Sequence, residues 1–436
     1  MYDLIVKNGT ILNYNQDPVV ADIAISKGKI DKIGSNLGEA KNQLDASGLT
    51  IIPGLIDSQV HFREPGLTHK EDLSSGSKAA VLGGICTFFE MPNTKPATIT
   101  LEKIEEKIKL AKEKSHANFA FYIGASEDNL EELLKIESLD GCCGVKIFLG
   151  SSTGDLLLYK REILLDIFKN ISVPIAVHSE SEVRLNERIN IRDNATSVHD
   201  HYLWRDAQSA LESTKMIIEV AKEAGRKVHV LHISTKEEMD FLKDQKEHCT
   251  VEVTPQHLTL FAPDAYDSMG TLAQMNPPIR TKDHQEGLWQ GLHNGTVDVI
   301  GSDHAPHTLQ EKRVDYPNSP SGMPGVQTTL PLLLHHLEKG RIDLNKIIEL
   351  MAINPAKIFS LNKGKIEEGF DGDLTILDLN ENWLISNDAQ ASKAGWTPFY
   401  GMNIKGKPKA TIVSGEIAML NDTVFKPKGK TVKLYR

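Results

Sequence analysis

The chain has 436 residues, of which 40% are hydrophobic and 25% are charged, and its formal net charge is −10 at pH 7. The composition is ordinary for a soluble globular protein, and the length suffices for one large barrel plus a smaller domain. The negative charge argues against a general nucleic-acid binder, although a local arginine can still create an anion site. The first residues, M-Y-D-L, predict no signal peptide, and no apolar run approaches the roughly 20 residues of a membrane span. We therefore expect a cytoplasmic protein without nucleic-acid or membrane partners.

The first 50 residues have the pattern of paired β-strands. The runs I-V-K-N-G-T-I-L and D-I-A-I-S-K-G-K-I-D-K-I alternate apolar and polar residues around Asn-Gly and Lys-Gly turns. This alternation with such turns is typical of hairpins.

The middle of the chain contains eight short apolar runs that predict strands. They are Ile56–Phe62, Ile85–Met91, Phe119–Ile123, Gly144–Leu149, Val173–His178, Val228–Ile233, Thr250–Thr254 and Val297–Ser302. Charged helical segments separate most of them, namely Leu101–Lys114, Asp128–Ile136, Ala207–Ala224 and Lys236–Gln245. Alternating strands and helices predict a parallel sheet, and eight such units over about 250 residues are typical of a TIM-type (β/α)8 barrel.

The C-terminal part returns to the hairpin pattern, in D-L-T-I-L-D and A-T-I-V-S-G-E-I-A-M. The sequence therefore predicts an α/β protein with two domains. Residues 1–50 and 365–436 would form a small β-sandwich from both chain ends, and residues 51–364 would form the barrel.

Polar side chains follow the predicted barrel strands, at the end where barrel enzymes place their sites. They are His61, Arg63, Asn93, Lys146, His178, His232, Asp303 and His307. A single histidine in such a place is more often a hydrogen-bonded core residue than a ligand, and Asp303 alone could be a helix cap. Lysine, however, is almost never buried without a partner. Three histidines, a buried lysine and an aspartate at five strand ends together predict a metal site.

Several motifs connect these residues to a known family. They are Q-V-H-F-R-E-P-G-L-T-H-K-E-D, M-P-N-T, G-V-K-I-F, A-V-H-S-E, L-H-I-S-T, N-P-P-I-R and S-D-H-A-P-H, with N-P-A at Asn354–Ala356 and G-x-I-x-x-G-x-D-G-D-L at Gly364–Leu374. In this combination the chain resembles the dihydroorotases, cyclic amidohydrolases of the amidohydrolase superfamily, over essentially its whole length. The resemblance implies a zinc-dependent, reversible cyclisation of N-carbamoyl-L-aspartate to L-dihydroorotate in de novo pyrimidine biosynthesis. It also implies a homodimer acting on a small molecule.

The resemblance assigns roles to the metal-site residues. His61 matches a ligand of one zinc, and Lys146 matches the lysine that becomes carboxylated and bridges two zincs. His178 and His232 match the ligands of the second zinc. Asp303 matches the catalytic carboxylate that contacts metal and transfers the proton of the attacking water. Zinc, at one or two ions per chain, is therefore the expected cofactor.

The substrate's carboxylate predicts an anion clamp at Arg63, whose planar guanidinium binds carboxylates through two parallel hydrogen bonds. The alternative for Arg63 is a structural salt bridge to Glu64 or another neighbour. By resemblance, further substrate contacts are expected at Asn93, Asn276, His307, Ser321 and Gly322. The polar segment Thr308–Gly322 either connects elements on the surface or acts as a lid, and we favour the lid.

Gln59 departs from the family pattern. It shares a strand face with His61 and Arg63, and it stands where the family has the first histidine of a His-x-His pair. An amide oxygen is a poor zinc ligand compared with imidazole. Three alternatives follow: a weakly held outer metal, a single zinc at Lys146, His178 and His232, or a non-catalytic subunit of an aspartate carbamoyltransferase assembly. An allantoinase or hydantoinase is the alternative enzyme. Its substrates lack the carboxylate that Arg63 would bind, so Arg63 with Asn93 favours a dihydroorotase over it.

Overall fold

Two β-sheets organise this computed structural model, which describes residues 1–152 and 156–435. In these residues one sheet has eight strands and the other has nine. In chain order the strands are β1 Tyr2–Ile11, β2 Val19–Ser26, β3 Lys29–Gly34, β4 Ala40–Asp45, β5 Thr50–Pro53, β6 Leu55–Val60, β7 Ile85–Glu90, β8 Asn118–Gly124, β9 Cys142–Phe148, β10 Ile175–His178, β11 Val228–Val230, β12 Cys249–Val253, β13 Val299–Ile300, β14 Leu374–Leu384, β15 Asn403–Val413, β16 Glu416–Leu420 and β17 Thr423–Val424.

Helices lie between most of the barrel strands. They are α1 Leu73–Leu82, α2 Leu101–Lys114, α3 Leu130–Leu134, α4 Arg161–Asn170, α5 Glu182–Glu187, α6 Ile189–Asp193, α7 Asp200–Trp204, α8 Ala207–Glu223, α9 Lys236–Leu242, α10 Pro255–Thr259, α11 Asp264–Met269, α12 Lys282–His293, α13 Leu309–Lys312, α14 Thr329–Glu338, α15 Leu344–Ile348 and α16 Asn354–Ile358. A 3-10 turn covers Gly270–Ala273, and a π-helical turn covers Glu349–Ile353. In the described part of the chain, no helix is both long enough and apolar enough to span a bilayer.

The eight strands β6 to β13 form the predicted barrel. Each pairs in parallel with the next along the chain. The ends of this sheet meet where Val60 forms a parallel bridge with His304, and the His61 N–H donates to the His304 carbonyl at 2.8 Å. The (β/α)8 prediction is confirmed, and each of the eight predicted runs overlaps a barrel strand.

The barrel strands are nearly continuous apolar runs because both of their faces are covered. Every residue of β7, β8 and β9 is buried. Helix α2 shows how the outer layer forms. The Thr100 side chain caps the Lys103 N–H at 3.4 Å, and Ile104, Ile108 and Ala111 lie on one buried face. The cap and the apolar spacing give this helix the bounds that the sequence predicts.

The second sheet joins the two chain ends, as predicted. Strand β5 is its junction, since it pairs in parallel with β1 and antiparallel with β14. Its apolar face includes Val6, Ile25, Ile376 and Ile412, all fully buried. Strand β5 crosses the expected boundary at residue 50. The C-terminal segment also contacts the barrel, since the Gly141 N–H donates to the Val432 carbonyl at 3.1 Å. The division into 1–50 plus 365–436 and 51–364 stays a proposal.

The last barrel strand is shorter than predicted. The sequence predicts Val297–Ser302, whereas pairing covers only Val299–Ile300. Ser302 instead donates its N–H to the Asp57 carboxylate at 3.0 Å, and the next residue, Asp303, has a φ of +42°. The chain leaves the sheet here and turns Asp303 towards the barrel mouth.

Candidate active site

A small cavity lies at the carboxyl ends of the barrel strands. Its lining residues are Gln59, His61, Arg63, Asn93, Lys146, Phe148, Ser152, His178, His232, Asn276, Asp303, Ala305, Ser321 and Gly322. All of the predicted site residues except His307 are in this set. The structure thus brings together residues from strand ends that are far apart in sequence.

Three of these side chains are held by unusual backbone conformations. Arg63, His232 and Asp303 have φ values of +62°, +37° and +42°. Non-glycine residues rarely occupy this region, and such strain persists where the surrounding structure enforces it, often at functional sites. Each residue directly follows a barrel strand by one to three positions. The turns therefore aim these side chains at the cavity.

Lys146, His178 and His232, which we call the inner group, are deeply buried polar residues of the cavity, each 1% to 2% exposed. The Lys146 Nζ has no hydrogen-bond partner among the described residues, and neither has the His232 Nδ1. The His178 Nδ1 and the His232 Nε2 face each other at 3.0 Å. Burial lowers the pKa of Lys146 to about 7 and the pKa values of both histidines below their usual range. Near neutral pH the two imidazoles are therefore neutral, and the Lys146 amine is neutral in part.

Glu180 orients the inner group, a role that the sequence analysis missed. The His178 Nε2–H donates to Glu180 Oε2 at 2.9 Å, which leaves Nδ1 as the acceptor that faces His232. Burial opposes ionisation of Glu180, but the paired Arg205 and His178 outweigh it and lower its pKa to about 2. A carboxylate behind a histidine fixes the ring tautomer and raises the ligand's basicity. The signal was present in the motif A-V-H-S-E, where Glu180 follows His178 by two residues.

Gln59, His61 and Asp303, the outer group, meet at one carboxylate oxygen. Asp303 Oδ1 lies 3.1 Å from His61 Nε2 and accepts a hydrogen bond from Gln59 Nε2 at 3.1 Å. The Gln59 Oε1 is buried without a partner among the described residues. On its other side, the His61 Nδ1–H donates to Asn93 Oδ1 at 2.7 Å. Asn93, expected to contact substrate, therefore also orients His61.

The two groups fit a zinc site only in part. Among residues 1–152 and 156–435, no set of three or more His, Cys, Asp or Glu side chains is arranged to hold a metal ion. The inner group offers two neutral imidazoles and the unpartnered amine of Lys146, and carboxylation of that amine would supply an oxygen ligand. The outer group offers His61, Asp303 and an amide. The inner donors suit zinc, which prefers imidazole nitrogens with anionic oxygens.

Arg63 is a buried cation without an anionic partner. It is 1% exposed, its Nε donates to the Pro306 carbonyl at 3.3 Å, and its Nη1 has no partner among the described residues. The alternative of a salt bridge to Glu64 is not observed, since Glu64 pairs with Lys114 at 2.5 Å. Burial lowers the pKa of Arg63 to about 10, so it remains charged at neutral pH. The guanidinium is available to an anion in the cavity.

His307 lies behind Arg63 and does not line the cavity. Its Nδ1 accepts from the Lys70 ammonium at 3.0 Å, so Nε2 carries the proton and donates it to the Ser321 carbonyl at 3.1 Å. Since Nε2 is then a donor, its 3.4 Å approach to Arg63 Nη2 is not a hydrogen bond. Burial holds the pKa of His307 well below its usual range, which keeps the ring neutral. We interpret His307 as a positioning residue for Arg63 and Ser321.

The remaining predicted substrate residues form one wall. The Asn276 Oδ1 is buried and has no partner among the described residues, whereas the Gly322 N–H already donates to the Gln274 carbonyl at 2.9 Å. Gly322 has a φ of +134°, and a Cβ there would lie 2.4 Å from the Ala305 carbonyl oxygen. Only glycine fits this position. Asn276 is thus the wall residue with unused hydrogen-bonding capacity.

The segment Thr308–Gly322 is packed against this wall. Helix α13 begins at a capping box between Thr308 and Glu311. The buried Lys312 Nζ donates to the carbonyls of Gln274 and Pro320, both at 2.8 Å. These bonds hold the segment closed, and its opening as a lid stays a prediction.

The sequence analysis also missed Phe148, Ser152 and Ala305 as lining residues. Phe148 had a readable signal, because it follows Lys146 by two residues in β9 and so shares its face. Its ring centroid lies 4.5 Å from the Lys146 Nζ. Ser152 and Ala305 lie in loops, where position along the chain does not predict direction.

A barrel with histidines, a lysine and an aspartate at its strand ends is the architecture of hydrolases that act on amide bonds. The chain belongs to the amidohydrolase family, whose model, "Amidohydrolase family", matches residues 50–418. A dihydroorotase of Methanosarcina acetivorans is 36% identical, over 99% of this chain and 95% of its own. An allantoinase of Salmonella newport is 34% identical, over 95% of each chain. The solved L-hydantoinase (dihydropyrimidinase) of Arthrobacter aurescens superposes with a TM-score of 0.95 at 29% identity, covering 99% of this chain and 100% of its own. All are cyclic amidohydrolases, and this chain is an enzyme of that kind.

Proposed function

We propose that the protein is a dihydroorotase, which interconverts N-carbamoyl-L-aspartate and L-dihydroorotate in pyrimidine biosynthesis. The observation that carries the proposal is the Arg63 guanidinium, which is buried beside the outer group and forms no salt bridge in the part of the chain that the structure describes. A buried charge is unfavourable unless it is paired. Dihydroorotate brings a carboxylate to pair with it, whereas the rings of hydantoin and allantoin bring none.

We propose one or two zinc ions as the cofactor, held by a carboxylated Lys146 with His178 and His232 and by His61 with Asp303. Zinc bound there would lower the pKa of a coordinated water and polarise the ring carbonyl. The Asp303 carboxylate would accept the proton of the attacking water and return it to the ring nitrogen. The resemblance supports a homodimer in the cytoplasm as the accompanying proposal.

Substrate binding follows from the placement of the side chains. Arg63 would hold the carboxylate through its free Nη1 edge, and Asn276 would hydrogen-bond the ring through its unpartnered Oδ1. Asn93 would act through His61, whose ring it fixes at 2.7 Å. Arg63 and the proposed metal ligand His61 lie two residues apart just after β6, which would fix the scissile amide relative to the anion.

The test is a comparison of kcat/KM for dihydroorotate and 5,6-dihydrouracil, which is the same ring without the carboxylate, and for allantoin and hydantoin. We expect dihydroorotate to be the best substrate, and to be preferred over dihydrouracil by at least about 30-fold, the equivalent of about 2 kcal/mol. Faster opening of allantoin or hydantoin would instead support the functions named for the Salmonella and Arthrobacter relatives. No turnover of any substrate with added zinc would support a non-catalytic subunit.

A further inference from the structure

We propose that the metal site is asymmetric: the inner group holds its cation tightly, and Gln59 makes the outer position a weak, exchangeable one. This inference rests on the proposed zinc cofactor and deepens it, because it concerns what this chain's own residue does to that site. It is carried by the contacts of Gln59 and by the difference in burial between the two groups.

The donor sets differ in strength. Each group contains two conventional ligands, His178 with His232 and His61 with Asp303, so each needs a third donor from elsewhere. The inner group has Lys146, whose Nζ has no partner and whose carboxylated form would be anionic. Of its own the outer group has only the neutral amide of Gln59, and any oxygen that a bridging carboxylated Lys146 gave it would be shared with the inner ion. Imidazole and carboxylate are the ligands that zinc prefers, and an amide oxygen is not a substitute of equal strength.

Gln59 is a poor metal ligand in either orientation of its amide group. In the observed orientation the Gln59 Nε2–H donates to Asp303 Oδ1 at 3.1 Å. The nitrogen end of the amide has no lone pair for a cation at this position, and it occupies a carboxylate oxygen that the cation would need. Rotated by half a turn, the amide would present Oε1, a neutral and weak donor. In either orientation Gln59 adds no strong ligand, so the outer position depends on His61, Asp303 and whatever oxygen it shares with the inner ion.

Burial acts in the same direction. The two conventional ligands of the outer group, His61 and Asp303, are 7% and 6% exposed, whereas Lys146, His178 and His232 are 1% to 2% exposed. Gln59 itself is 1% exposed, so the difference lies in the ligands and not in the amide. An ion at the outer position is thus nearer to solvent and to a competing chelator. Weak ligation and greater access together predict that the outer cation exchanges while the inner cation stays.

The experiment measures zinc per chain after dialysis of the purified protein against a series of buffered free-zinc concentrations. It compares the native protein with Gln59→His, which adds an imidazole, and Gln59→Leu, which removes the amide at similar volume. We expect the native protein to retain about one zinc per chain where Gln59→His retains about two. The second zinc should bind Gln59→His more than about 100-fold tighter than the native protein, because losing a partner of a ligand already costs about 10- to 100-fold. Native and Gln59→Leu should differ by less than about 10-fold for that ion.

Two results would overturn the inference. One is equal affinity of the native protein and Gln59→His for both ions. The other is a native affinity more than about 100-fold above that of Gln59→Leu, which would make Gln59 a full ligand. If Gln59→His does not fold, as judged by circular dichroism, the outer-zinc affinities of the native protein and Gln59→Leu still show whether Gln59 is a full ligand. Dihydroorotate turnover at saturating zinc is measured in parallel, so absence of activity refutes the proposed function while the zinc counts still answer the metal question.

Discussion

Replacing Arg63 by methionine separates binding from folding, since it removes a charge that forms no salt bridge with any described residue. Methionine keeps an unbranched side chain of similar reach, and its backbone meets the same positive φ as arginine does. The burial that lowers the pKa of Arg63 from 12.5 to about 10 corresponds to about 3 kcal/mol of destabilisation by the charged form. The variant also loses the hydrogen bond to Pro306, worth about 1.5–3 kcal/mol for a charged donor. These opposing terms predict a free energy of unfolding within about 2 kcal/mol of native.

Unlike stability, the activity of Arg63→Met on dihydroorotate should fall strongly. If the guanidinium pairs with the substrate's carboxylate, its removal leaves that anion unpaired in a dry cavity, at a cost of about 2–5 kcal/mol. We therefore expect kcat/KM for dihydroorotate to fall by roughly 30- to 5,000-fold, and the value for dihydrouracil to change little. The matched control is Arg63→Lys, which keeps the charge but not the planar fork, and it should retain part of the preference.

The assays are steady-state kinetics on both rings and urea unfolding of each variant. The reasoning about Arg63 would be refuted by an equal loss on dihydroorotate and dihydrouracil. A free energy of unfolding lowered by much more than about 3 kcal/mol would also contradict it, because the guanidinium would then be structural.

Three further predictions follow from the contacts around the site. Asn93→Leu removes the acceptor of His61 and should weaken binding of the outer metal by about 10- to 100-fold in zinc dialysis, whereas Asn93→Asp keeps an acceptor and should lose less. Glu180 has a folded pKa of about 2 against an ordinary 4.5, so its ionised form stabilises the fold above about pH 4.5. In chelated protein, Glu180→Gln should be less stable than native at pH 7 by urea unfolding, and the difference should disappear as the pH falls from 4.5 to about 2. Lys312→Met removes two buried hydrogen bonds of the closed segment and should speed trypsin cleavage after Arg313, and an unchanged rate would show that these bonds do not hold it.

The barrel could be predicted from sequence because its signals are local. Apolar runs of strand length alternate with amphipathic helices, and Leu101–Lys114 has both a capping threonine and an apolar face. The end of the last strand could not be predicted in this way, since Ser302 bonds to Asp57, which lies far away in sequence on β6. The junction of the second sheet at β5 likewise depends on pairing between distant segments.

The candidate site could be predicted as a set of residues but not as a set of contacts. Residues that follow parallel strands must gather at one end of a barrel, so the convergence of His61, Lys146 and Asp303 follows from topology alone. The position of His307 behind Arg63 does not follow, because it depends on the Lys70 ammonium and the Ser321 carbonyl. Hydrogen bonds made by loop residues leave no periodic pattern in the sequence.

The difference between residues on strands and residues on loops explains how one architecture serves several substrates. The proposed metal ligands stand on or directly after barrel strands, which are rigid and bonded to their neighbours. The residues that would read the substrate, such as Asn276 and Ser321, stand on loops held by bonds that other side chains could replace. Even a distant segment contributes, since Trp396 donates to the His307 carbonyl at 2.8 Å. A fold shared at a TM-score of 0.95 with only 29% identity is what this arrangement produces. Arg63 is the exception, because this proposed substrate-reading charge lies just after the first barrel strand, two residues from the proposed metal ligand His61.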